Sequence, residues 1–450
     1  MRTILKNFRI IDEECDTKGT VIIDDGFISA VLPHQDGCDS DGAIIIDGAS
    51  LLPGGRHPIL MPAFVDLHAH FRDPNGGMLP DGTAPLAEVL ESASLAAAAG
   101  GFGTVVCMAN TKPALDSLEK VLTLKKRSDV LGLIDLYPVM SLTKGMEGKE
   151  LSEIRNLSSS LGGSPALPLM LSEDGKDIAD DALFLAAMKE AKRINRPISC
   201  HCDFGGDEAE AAKKAGKPRA VWSRIEENNA VRRVISLAKK AGCHIHIAHV
   251  SSGEAVEMIR EAKADGSFIL TCEVMPHNLC LTEKDAAKLG EELHGRVNPP
   301  LRSEEDRKAL IGALADGTID AIATDHAPHT EAAKAKGTPG FSGFETSFAA
   351  VFTELVRNDG PFTLKQLSSL VSASPARLLG LDRGLEKRGY IKNGYRADLV
   401  IVDTETSFIV DPEKFKSRGK NSPFTGHKLY GKVLITFHHG HPVFTASAHS

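Results

Sequence analysis

The pattern that most constrains the fold of this chain is a repeat of apolar run, polar turn and amphipathic helix through its middle part. Eight runs have the length and apolar character of buried strands, namely 63–68, 102–108, 134–140, 166–171, 197–201, 244–249, 268–273 and 319–324. Stretches with helical periodicity between them include 84–99, 180–194, 223–241 and 304–315. Strands that alternate with helices pair in parallel, because each helix carries the chain back to the end at which the next strand begins. Eight such units in about 320 residues predict an α/β fold, a (β/α)8 or TIM barrel with insertions.

The two ends of the chain have a different pattern. Residues 2–60 contain short β-like runs broken by Gly, Asp and Asn turns, and residues 386–445 return to that style. Because both terminal segments consist of short strands and turns, they are expected to form one domain together. We therefore predict a small β-sandwich domain built from residues 1–60 and 386–450, beside a barrel domain that spans residues 61–385.

Composition and charge exclude several classes of protein. The 60 acidic residues outnumber the 52 basic ones, and no basic block is long enough to follow a phosphate backbone, so nucleic acid is not an expected partner. No run reaches the roughly 18–20 apolar residues that cross a bilayer, and the first residues lack the apolar segment of a signal peptide. The 8 cysteines include no CxxC pair, which indicates reduced thiols. We therefore expect a globular protein of the cytoplasm.

Polar residues of the metal-binding type follow almost every predicted barrel strand. These residues are His68 and His70, Asn110, Asp174, His201, His249, His277 with Asn278, and Asp325. In such barrels the catalytic groups sit where the strands end and the loops to the helices begin, so these side chains are expected at one rim. Neutral imidazole and carboxylate ligands suit zinc, and an aspartate can bridge two ions. The pattern predicts a site for one or two Zn²⁺ ions that needs no cysteine.

The His-x-His pair at the end of the first predicted strand is a weak signal by itself. The chain holds two further pairs of this kind, His244 with His246 and His439 with His441. We assign His244 and His246 to structure, because strand alternation places them on the face opposite to His249. The histidines at 438–441 lie in a hairpin-like stretch far from the other candidates, and we expect no function for them.

Other candidate residues also have ordinary structural explanations. Asp174 and Asp325 stand where an aspartate commonly caps the first turn of a helix. His201 lies between two cysteines and also suits a packed core position. His277 is equally compatible with a substrate rim and with packing. These alternatives stay open on the sequence alone.

A metal centre of this composition predicts hydrolytic chemistry. A bound metal ion lowers the pKa of its water from about 16 to near 7 and polarises a carbonyl oxygen. Cleavage of an amide-like bond then also needs a group that carries a proton. Asp325 ends the last predicted strand and is the best placed carboxylate to take a proton from the attacking water and return it to the leaving nitrogen. It would act as both ligand and base.

Several motifs together resemble one known family, the type I dihydroorotases of the amidohydrolase superfamily. The matching motifs are FVDLHAHFR (64–72), MANTKP (108–113), EDG (173–175), HC (201–202), HIAHVS (246–251), VNPPLR (297–302) and TDHAPH (324–329). GYRADL (394–399) and NSPFTG (421–426) are similar to the closing β domain of these enzymes. The resemblance extends over nearly the whole chain.

The resemblance implies a role for each candidate metal ligand. His68, His70 and Asp325 would hold one ion, His201 and His249 the other, and Asp174 would bridge both. In related ring-opening enzymes a carboxylated lysine after the fourth strand bridges the ions. Residues 166–174 contain no lysine, so an aspartate bridge is expected here.

The resemblance also implies a substrate pocket. Arg72, Asn110 and His329 would bind the free carboxylate of the substrate, for which a planar guanidinium is well shaped. Asn298 and the backbone near Gly340 would contact the pyrimidine ring. The stretch 332–340, rich in Lys and Gly, is expected to form a mobile covering loop.

The implied activity is the reversible interconversion of dihydroorotate and N-carbamoyl-L-aspartate in pyrimidine (UMP) biosynthesis. The family also implies a homodimer. Two alternatives remain at this stage: a related cyclic amidohydrolase acting on hydantoins, dihydropyrimidines or allantoin, and an inactive homologue that associates with aspartate transcarbamoylase. All six implied metal ligands are present, which argues against the inactive form.

Overall fold

The structure of the protein is a computed structural model that describes residues 1–33, 42–73, 87–158, 160–161, 164–165, 167–203, 206–357 and 359–446. Eight strands in the middle of the chain each overlap one of the predicted apolar runs: Phe64–Ala69, Phe102–Cys107, Asp135–Pro138, Leu171–Ser172, Ile198–Cys200, Ile245–Ile247, Leu270–Val274 and Ala321–Ile322. They pair in parallel as a group of three and a group of five strands. Bridges from Met140 to Leu171 and from Ala69 to His326 join the two groups at both edges and close the barrel. The predicted (β/α)8 fold is confirmed.

The fourth barrel strand is shorter and lies later than the predicted run 166–171. Regular strand structure is confined there to Leu171–Ser172, and residue 166 lies outside the described residues. Pro168 has no amide hydrogen to donate to a neighbouring strand, so apolar character alone predicts a strand that begins too early. As a consequence, Asp174 lies two residues after the last residue of the strand.

Helices follow most of the barrel strands. The α-helices are Gly48–Leu51, Leu90–Ala99, Leu118–Leu131, Asp181–Arg193, Gly206–Lys214, Arg219–Ala241, Gly253–Asp265, Pro276–Cys280, Glu283–Leu289, Glu304–Ala315, Glu331–Lys334, Phe344–Phe352, Leu364–Ser368 and Ser374–Leu378. Shorter or wider helical turns are Pro53–Gly55, Lys144–Met146, Glu153–Asn156, Gly290–His294, Thr353–Arg357, Ser369–Ala373 and Pro412–Lys414. The helix Glu304–Ala315 has the predicted bounds, because Ser303 and Asp306 form a capping box at its first turn. Of the predicted helix 84–99, residues 84–86 lie outside the described residues and the helix occupies Leu90–Ala99.

The two ends of the chain together form one eight-stranded sheet. Its strands are Arg2–Ile11, Asp16–Asp24, Phe27–Pro33, Ile44–Asp47, Ile59–Pro62, Leu399–Asp403, Lys432–His438 and His441–Thr445. Ile59–Pro62 pairs on one side with the first strand and on the other with Leu399–Asp403, so it joins the N-terminal strands to the C-terminal ones. Apolar side chains from both halves of the sheet form one cluster. Alternate residues such as Val400 and Val402 point the other way and belong to the barrel core.

Two further pairs of short strands lie outside these sheets, Ser160–Leu161 with Ser164–Pro165 and Phe408–Ile409 with Lys428–Leu429. The seven cysteines within the described residues are all free, and Cys38 lies outside those residues. None of the described helices combines the length and apolar content that a membrane span needs.

A buried network of charges joins the barrel to the terminal sheet. Asp135, the first residue of the third barrel strand, is bound by Arg388 and by Arg396, whose Nη1 lies 2.7 Å from Asp135 Oδ2. Arg396 also contacts Asp398, with its Nε 3.1 Å from Asp398 Oδ2. His438 donates from Nδ1 to the carbonyl of Gly132 at 3.1 Å and accepts from Arg396 at Nε2 at 3.2 Å. Two guanidinium groups beside Asp135 disfavour a cation there, in agreement with the expectation that the histidines at 438–441 are structural.

Candidate metal centre

The six predicted metal ligands converge at the carboxyl ends of the barrel strands, and Asp174 lies at their centre. Its Oδ1 lies 3.3 Å from His68 Nε2, 3.3 Å from His201 Nδ1 and 3.9 Å from His249 Nε2. Its Oδ2 lies 3.5 Å from His70 Nε2. One carboxylate therefore contacts all four histidines, which is the position that a bridging ligand requires.

Asp325 faces the same group from the last barrel strand. Its Oδ1 lies 3.1 Å from His70 Nε2 and 3.7 Å from His68 Nε2. On the far side of Asp174, His201 Nδ1 lies 2.8 Å from His249 Nε2. Asp174 thus lies between the pair His201 and His249 and the group His68, His70 and Asp325, and the division of the ligands between two ions stays a prediction from the resemblance.

The donor atoms fit a metal ion. Most of the spacings around Asp174 exceed those of ordinary hydrogen bonds. Two ligands held about 2.1 Å from one tetrahedral zinc ion are roughly 3.4 Å apart. His68 Nε2 and Asp174 Oδ1 are also buried without a hydrogen-bond partner among the described residues. Unpaired polar atoms cost free energy in a protein interior, and a shared cation would satisfy both.

The protonation preferences of these groups agree with a cation at their centre. Burial raises the pKa of Asp174, but His68 and His201 lower it more, so that the pKa lies well below its usual range. Burial also raises the pKa of Asp325, and His70 and His68 again lower it more. Burial lowers the pKa of His249 to about 4, with His201 and His68 adding to the effect. Burial lowers the pKa of His68 and of His201, but Asp174 beside His68 and Asp203 beside His201 raise both pKa values well above the usual range. The ionised carboxylates therefore attract positive charge to the centre, and a metal ion there would take the place of the protons on these imidazoles.

The far nitrogen of three histidines is held by an oxygen atom. His68 Nδ1 lies 2.8 Å from Glu273 Oε1 and His70 Nδ1 lies 2.9 Å from Asn110 Oδ1. On the other side of the centre, His201 Nε2 lies 2.9 Å from Asp203 Oδ2. An acceptor at one ring nitrogen fixes the hydrogen there and leaves the lone pair of the other nitrogen directed at the centre.

Three site residues have a left-handed backbone, which non-glycine residues rarely adopt. The φ angles are 36° at His249, 45° at Asp325 and 57° at Arg72. Each such residue costs on the order of 1–3 kcal/mol, and such residues cluster at functional sites. The strained residues therefore lie at the same end of the barrel as the candidate metal ligands.

Arg72, Asn110 and His329 lie together beside the metal centre. Arg72 Nη2 lies 3.3 Å from His329 Nε2, while Arg72 Nε is buried without a hydrogen-bond partner among the described residues. Asn110 donates from Nδ2 to Asp174 at 3.3 Å in addition to its contact with His70. Burial and the nearby Arg72 lower the pKa of His329 to about 3, so this imidazole is neutral. The group therefore contains a guanidinium whose Nε–H donor is available to a ligand.

Asn298 lies beside His201, and Gly340 lies beside His329. Asn298 Nδ2 lies 3.5 Å from His201 Nε2 and 3.3 Å from Asp203 Oδ2. Gly340 has a φ of 137°, and a Cβ atom placed on it would lie 2.7 Å from the carbonyl oxygen of Ala327 and 3.1 Å from His329 Nε2. Only glycine fits this position. All the predicted substrate residues therefore border one site.

Two residues that contact the metal centre, Glu273 and Asp203, were not predicted from the sequence. Glu273 is the last residue of the predicted run 268–273 and the next-to-last residue of the seventh barrel strand, Leu270–Val274, but no sequence spacing relates it to His68. Its Oε2 lies 3.1 Å from His246 Nε2, so His246, assigned to structure, belongs to the support of the centre. Asp203 follows His201 by two residues, and that proximity is the only signal for it. His277 packs edge-on against Phe341 with ring centroids 5.4 Å apart, which favours the packing interpretation.

Comparisons with known proteins agree with this geometry. The model of the Amidohydrolase family matches residues 59–443. A dihydroorotase from Clostridium botulinum (strain Eklund 17B / Type B) is 39% identical over 440 residues, covering 98% of both chains. A dihydroorotase from Geobacillus kaustophilus is 38% identical over 445 residues, covering 96% of both chains.

Solved structures show the same architecture at lower identity. The L-hydantoinase (dihydropyrimidinase) of Arthrobacter aurescens has a TM-score of 0.80 at 24% identity, over 98% of this chain and 95% of that one. The dihydropyrimidinase of Brevibacillus agri has a TM-score of 0.80 at 22% identity, over 99% and 95%. These likenesses concern the fold. From the family match and the full-length relatives together, the chain belongs to the amidohydrolase family and, within it, to the dihydroorotases.

Proposed function

We propose that this protein is a zinc-dependent dihydroorotase, which interconverts (S)-dihydroorotate and N-carbamoyl-L-aspartate in the de novo synthesis of UMP. The observation that carries the proposal is the convergence of four histidines on Asp174, at 3.3–3.9 Å, beside Asp325. The dihydroorotases that match the chain over its full length support the choice of substrate.

We assign two zinc ions to the six ligands. His68, His70 and Asp325 would hold one ion, His201 and His249 the other, and Asp174 both. The donor set contains only imidazole and carboxylate, which suits zinc. When bound, the ions would supply hydroxide at neutral pH and would polarise the carbonyl group of the ring amide.

In this proposal Asp325 moves the proton. Its Oδ1, fixed 3.1 Å from His70 Nε2, lies at the rim where substrate enters. The carboxylate takes the proton of the attacking water and returns it to the ring nitrogen as the C–N bond breaks. In ring closure the same carboxylate takes the proton from that nitrogen.

Arg72, Asn110 and His329 would bind the free carboxylate of dihydroorotate, while Asn298 and the backbone of Gly340 would bind the ring. Arg72 Nε is buried without a partner among the described residues, which suits a carboxylate arriving from the substrate. Asn110 already contacts His70 and Asp174. It would therefore position metal ligands as well as substrate.

Replacement of the proton carrier tests the proposal. In Asp325→Asn, ring opening of dihydroorotate, followed by its loss of ultraviolet absorbance, is expected to fall at least about 10²- to 10⁴-fold. The control is Glu331→Gln, whose side chain is 79% exposed, and it should leave the rate unchanged. Turnover of Asp325→Asn close to that of the wild type would contradict the assigned mechanism.

A substrate panel separates this proposal from a related ring opener. Hydantoins, dihydropyrimidines and allantoin lack the carboxylate that Arg72 would bind. In Arg72→Ala, kcat/KM for dihydroorotate is expected to fall by about 10²-fold or more, the loss of a charge-assisted hydrogen bond in a buried site. Preference of the wild type for a ring without the carboxylate would favour the alternative function.

We also propose a homodimer in the cytoplasm, with association with aspartate transcarbamoylase as a further option. The free cysteines of the described residues support a reducing compartment. Light scattering of the purified protein, alone and mixed with the transferase, would test both associations. A monomer at micromolar concentration would contradict the dimer.

A further inference from the structure

Lys334 is a fully buried lysine in the stretch 332–340, which the sequence predicts to be a mobile cover. It ends the short helix Glu331–Lys334, and its side chain turns inward. Its ammonium group donates to three backbone carbonyls, of Arg296 at 2.9 Å, Thr338 at 3.1 Å and Gly340 at 3.0 Å. An ammonium has three hydrogens, so its donors are fully used.

The surroundings of this ammonium show that the carbonyls hold it in place. Its neighbours are the ring of Phe341, with the centroid 5.3 Å away, and the charges of Arg296 and Glu331. Burial and Arg296 lower the pKa of Lys334 to about 8, and Glu331 opposes them. A buried charge is costly unless it is bonded, and here neutral backbone dipoles provide the bonds. The ammonium of Lys334 therefore joins the segments that carry these carbonyls.

Those segments are the two that border the ring side of the candidate pocket. Arg296 precedes Asn298 by two residues. Gly340 donates its amide to the carbonyl of Arg296 at 3.1 Å, and its own carbonyl accepts a second hydrogen bond from Asn421 Nδ2 at 2.7 Å. The neighbouring Pro339 carbonyl lies 2.9 Å from His329 Nε2. Lys334 therefore contacts the backbone of the segments that carry Asn298 and Gly340, and none of its hydrogen bonds goes to a proposed metal ligand.

We propose that Lys334 is a positioning residue, whose ammonium cross-links segments 296–298 and 338–340 and so fixes the substrate-binding side of the pocket. The inference rests on the proposed function, since it takes those segments to bind dihydroorotate. Loss of the cross-link would let both segments move away from the ring, and contacts made equally with the bound substrate and the transition state would be lost, which raises KM and leaves kcat unchanged. The loss should fall on KM, because the metal centre itself is untouched.

Removal and chemical replacement of the ammonium test this role. Lys334→Ala deletes three methylene groups and the ammonium, a fragment the size of propylammonium. We expect KM for dihydroorotate to rise roughly 10- to 100-fold with kcat changed less than about threefold and with the metal content of the wild type. Added propylammonium chloride should lower KM of this variant relative to sodium chloride at equal ionic strength. The control is Lys336→Ala, an exposed lysine two residues on, which should show neither effect.

A second variant keeps the test decisive. Lys334→Met fills nearly the same space without an N–H donor, and it should raise KM without a response to propylammonium. A wild-type KM in either folded variant would overturn the proposal. So would a parallel loss of kcat and bound metal, because that pattern marks a general structural defect. A wild-type protein inactive on dihydroorotate would refute the proposed function, whereas an active wild type with unaffected Lys334 variants would refute only the cross-link.

Discussion

Glu273, which is not a proposed metal ligand, determines which ring nitrogen of His68 carries the hydrogen. Its two oxygens lie 2.8 Å from His68 Nδ1 and 3.1 Å from His246 Nε2, and the side chain is fully buried. An ionised carboxylate accepts hydrogen bonds but does not donate them. His68 must therefore carry its hydrogen on Nδ1, which leaves Nε2 free to bind metal.

Replacement of this carboxylate should weaken metal binding without removing a ligand. Glu273→Gln keeps the shape but offers an amide that can donate to His68 and favour the wrong tautomer. We expect affinity for zinc to fall about 10- to 100-fold, measured by competition with a chromogenic chelator. Glu254→Gln, at a side chain that is 58% exposed, is the control. Equal zinc affinity in wild type and Glu273→Gln would show that the carboxylate does not orient His68.

Gly340 provides a second prediction for a single residue. An alanine there would place Cβ 2.7 Å from the Ala327 carbonyl at a φ of 137°, so the backbone must move away from His329. We expect Gly340→Ala to raise KM and to lower the free energy of unfolding by about 1–3 kcal/mol. Gly312→Ala, at a helical glycine with open space around it, should do neither. Unchanged KM in Gly340→Ala would argue that this backbone does not meet the substrate.

The proposed metal ligands, which follow the barrel strands, could be predicted from the sequence. The residues that hold those ligands and the pocket segments in position could not. The pattern of His68, Asp174 and Asp325 follows from the rule that barrel strands present their ends at one rim. Glu273 ends the predicted run 268–273, but nothing in the sequence shows that it contacts His68, which is 205 residues away along the chain. Lys334 looks like part of a solvated Lys- and Gly-rich loop, because nothing local shows that three carbonyls surround it.

Among the predicted helices, 304–315 has the predicted bounds, whereas the helix predicted over 223–241 begins four residues earlier, at Arg219. Glu304–Ala315 begins where Ser303 Oγ accepts the amide of Asp306 at 3.2 Å and Asp306 accepts the amide of Ser303 at 3.3 Å. The fourth barrel strand lacks such a signal, and Pro168 moved it later than predicted. Local chemistry therefore fixes the ends of helices better than apolar character fixes the ends of short strands.

The capping box gives a test at this scale. Ser303→Ala removes the hydroxyl that caps the helix and should lower the free energy of unfolding by about 1 kcal/mol, measured by denaturant titration. Kinetic constants for dihydroorotate should not change, because the helix lies outside the site. Ser303→Thr keeps a capping hydroxyl and serves as the control. A variant with alanine as stable as the threonine variant would show that the cap contributes nothing here.

At the scale of the whole molecule, the barrel and the terminal sheet meet around Asp135. We propose that residues 1–60 with 386–450 form a domain beside the 61–385 barrel, and Ile59–Pro62 crosses that boundary as a strand of the sheet. Burial raises the pKa of Asp135, but the guanidinium groups of Arg388 and Arg396 lower it further, to well below its usual range. Its stabilising effect is therefore complete above the pKa of the unfolded chain, about 3.9, and is lost as the pH falls from there towards the folded-state pKa.

Asp135→Asn should lower the free energy of unfolding near neutral pH by about 3–5 kcal/mol, because two buried guanidinium groups lose their partner. The difference from the wild type should shrink below about pH 4, where the carboxyl takes up a proton in the unfolded wild-type chain while it stays ionised in the folded protein. Denaturant titrations between pH 7 and pH 3 would measure it. Asp129→Asn, at a side chain that is 49% exposed, controls for net charge. A difference that does not depend on pH would contradict the assigned network.

The central claim is that His68, His70, Asp174, His201, His249 and Asp325 hold the metal on which catalysis depends. Zinc per chain and the rate of dihydroorotate ring opening, determined together before and after exhaustive chelation, test it most directly. We predict two zinc ions per chain, loss of activity in proportion to the zinc removed, and recovery when zinc is restored. Full turnover by a protein stripped of metal would contradict it.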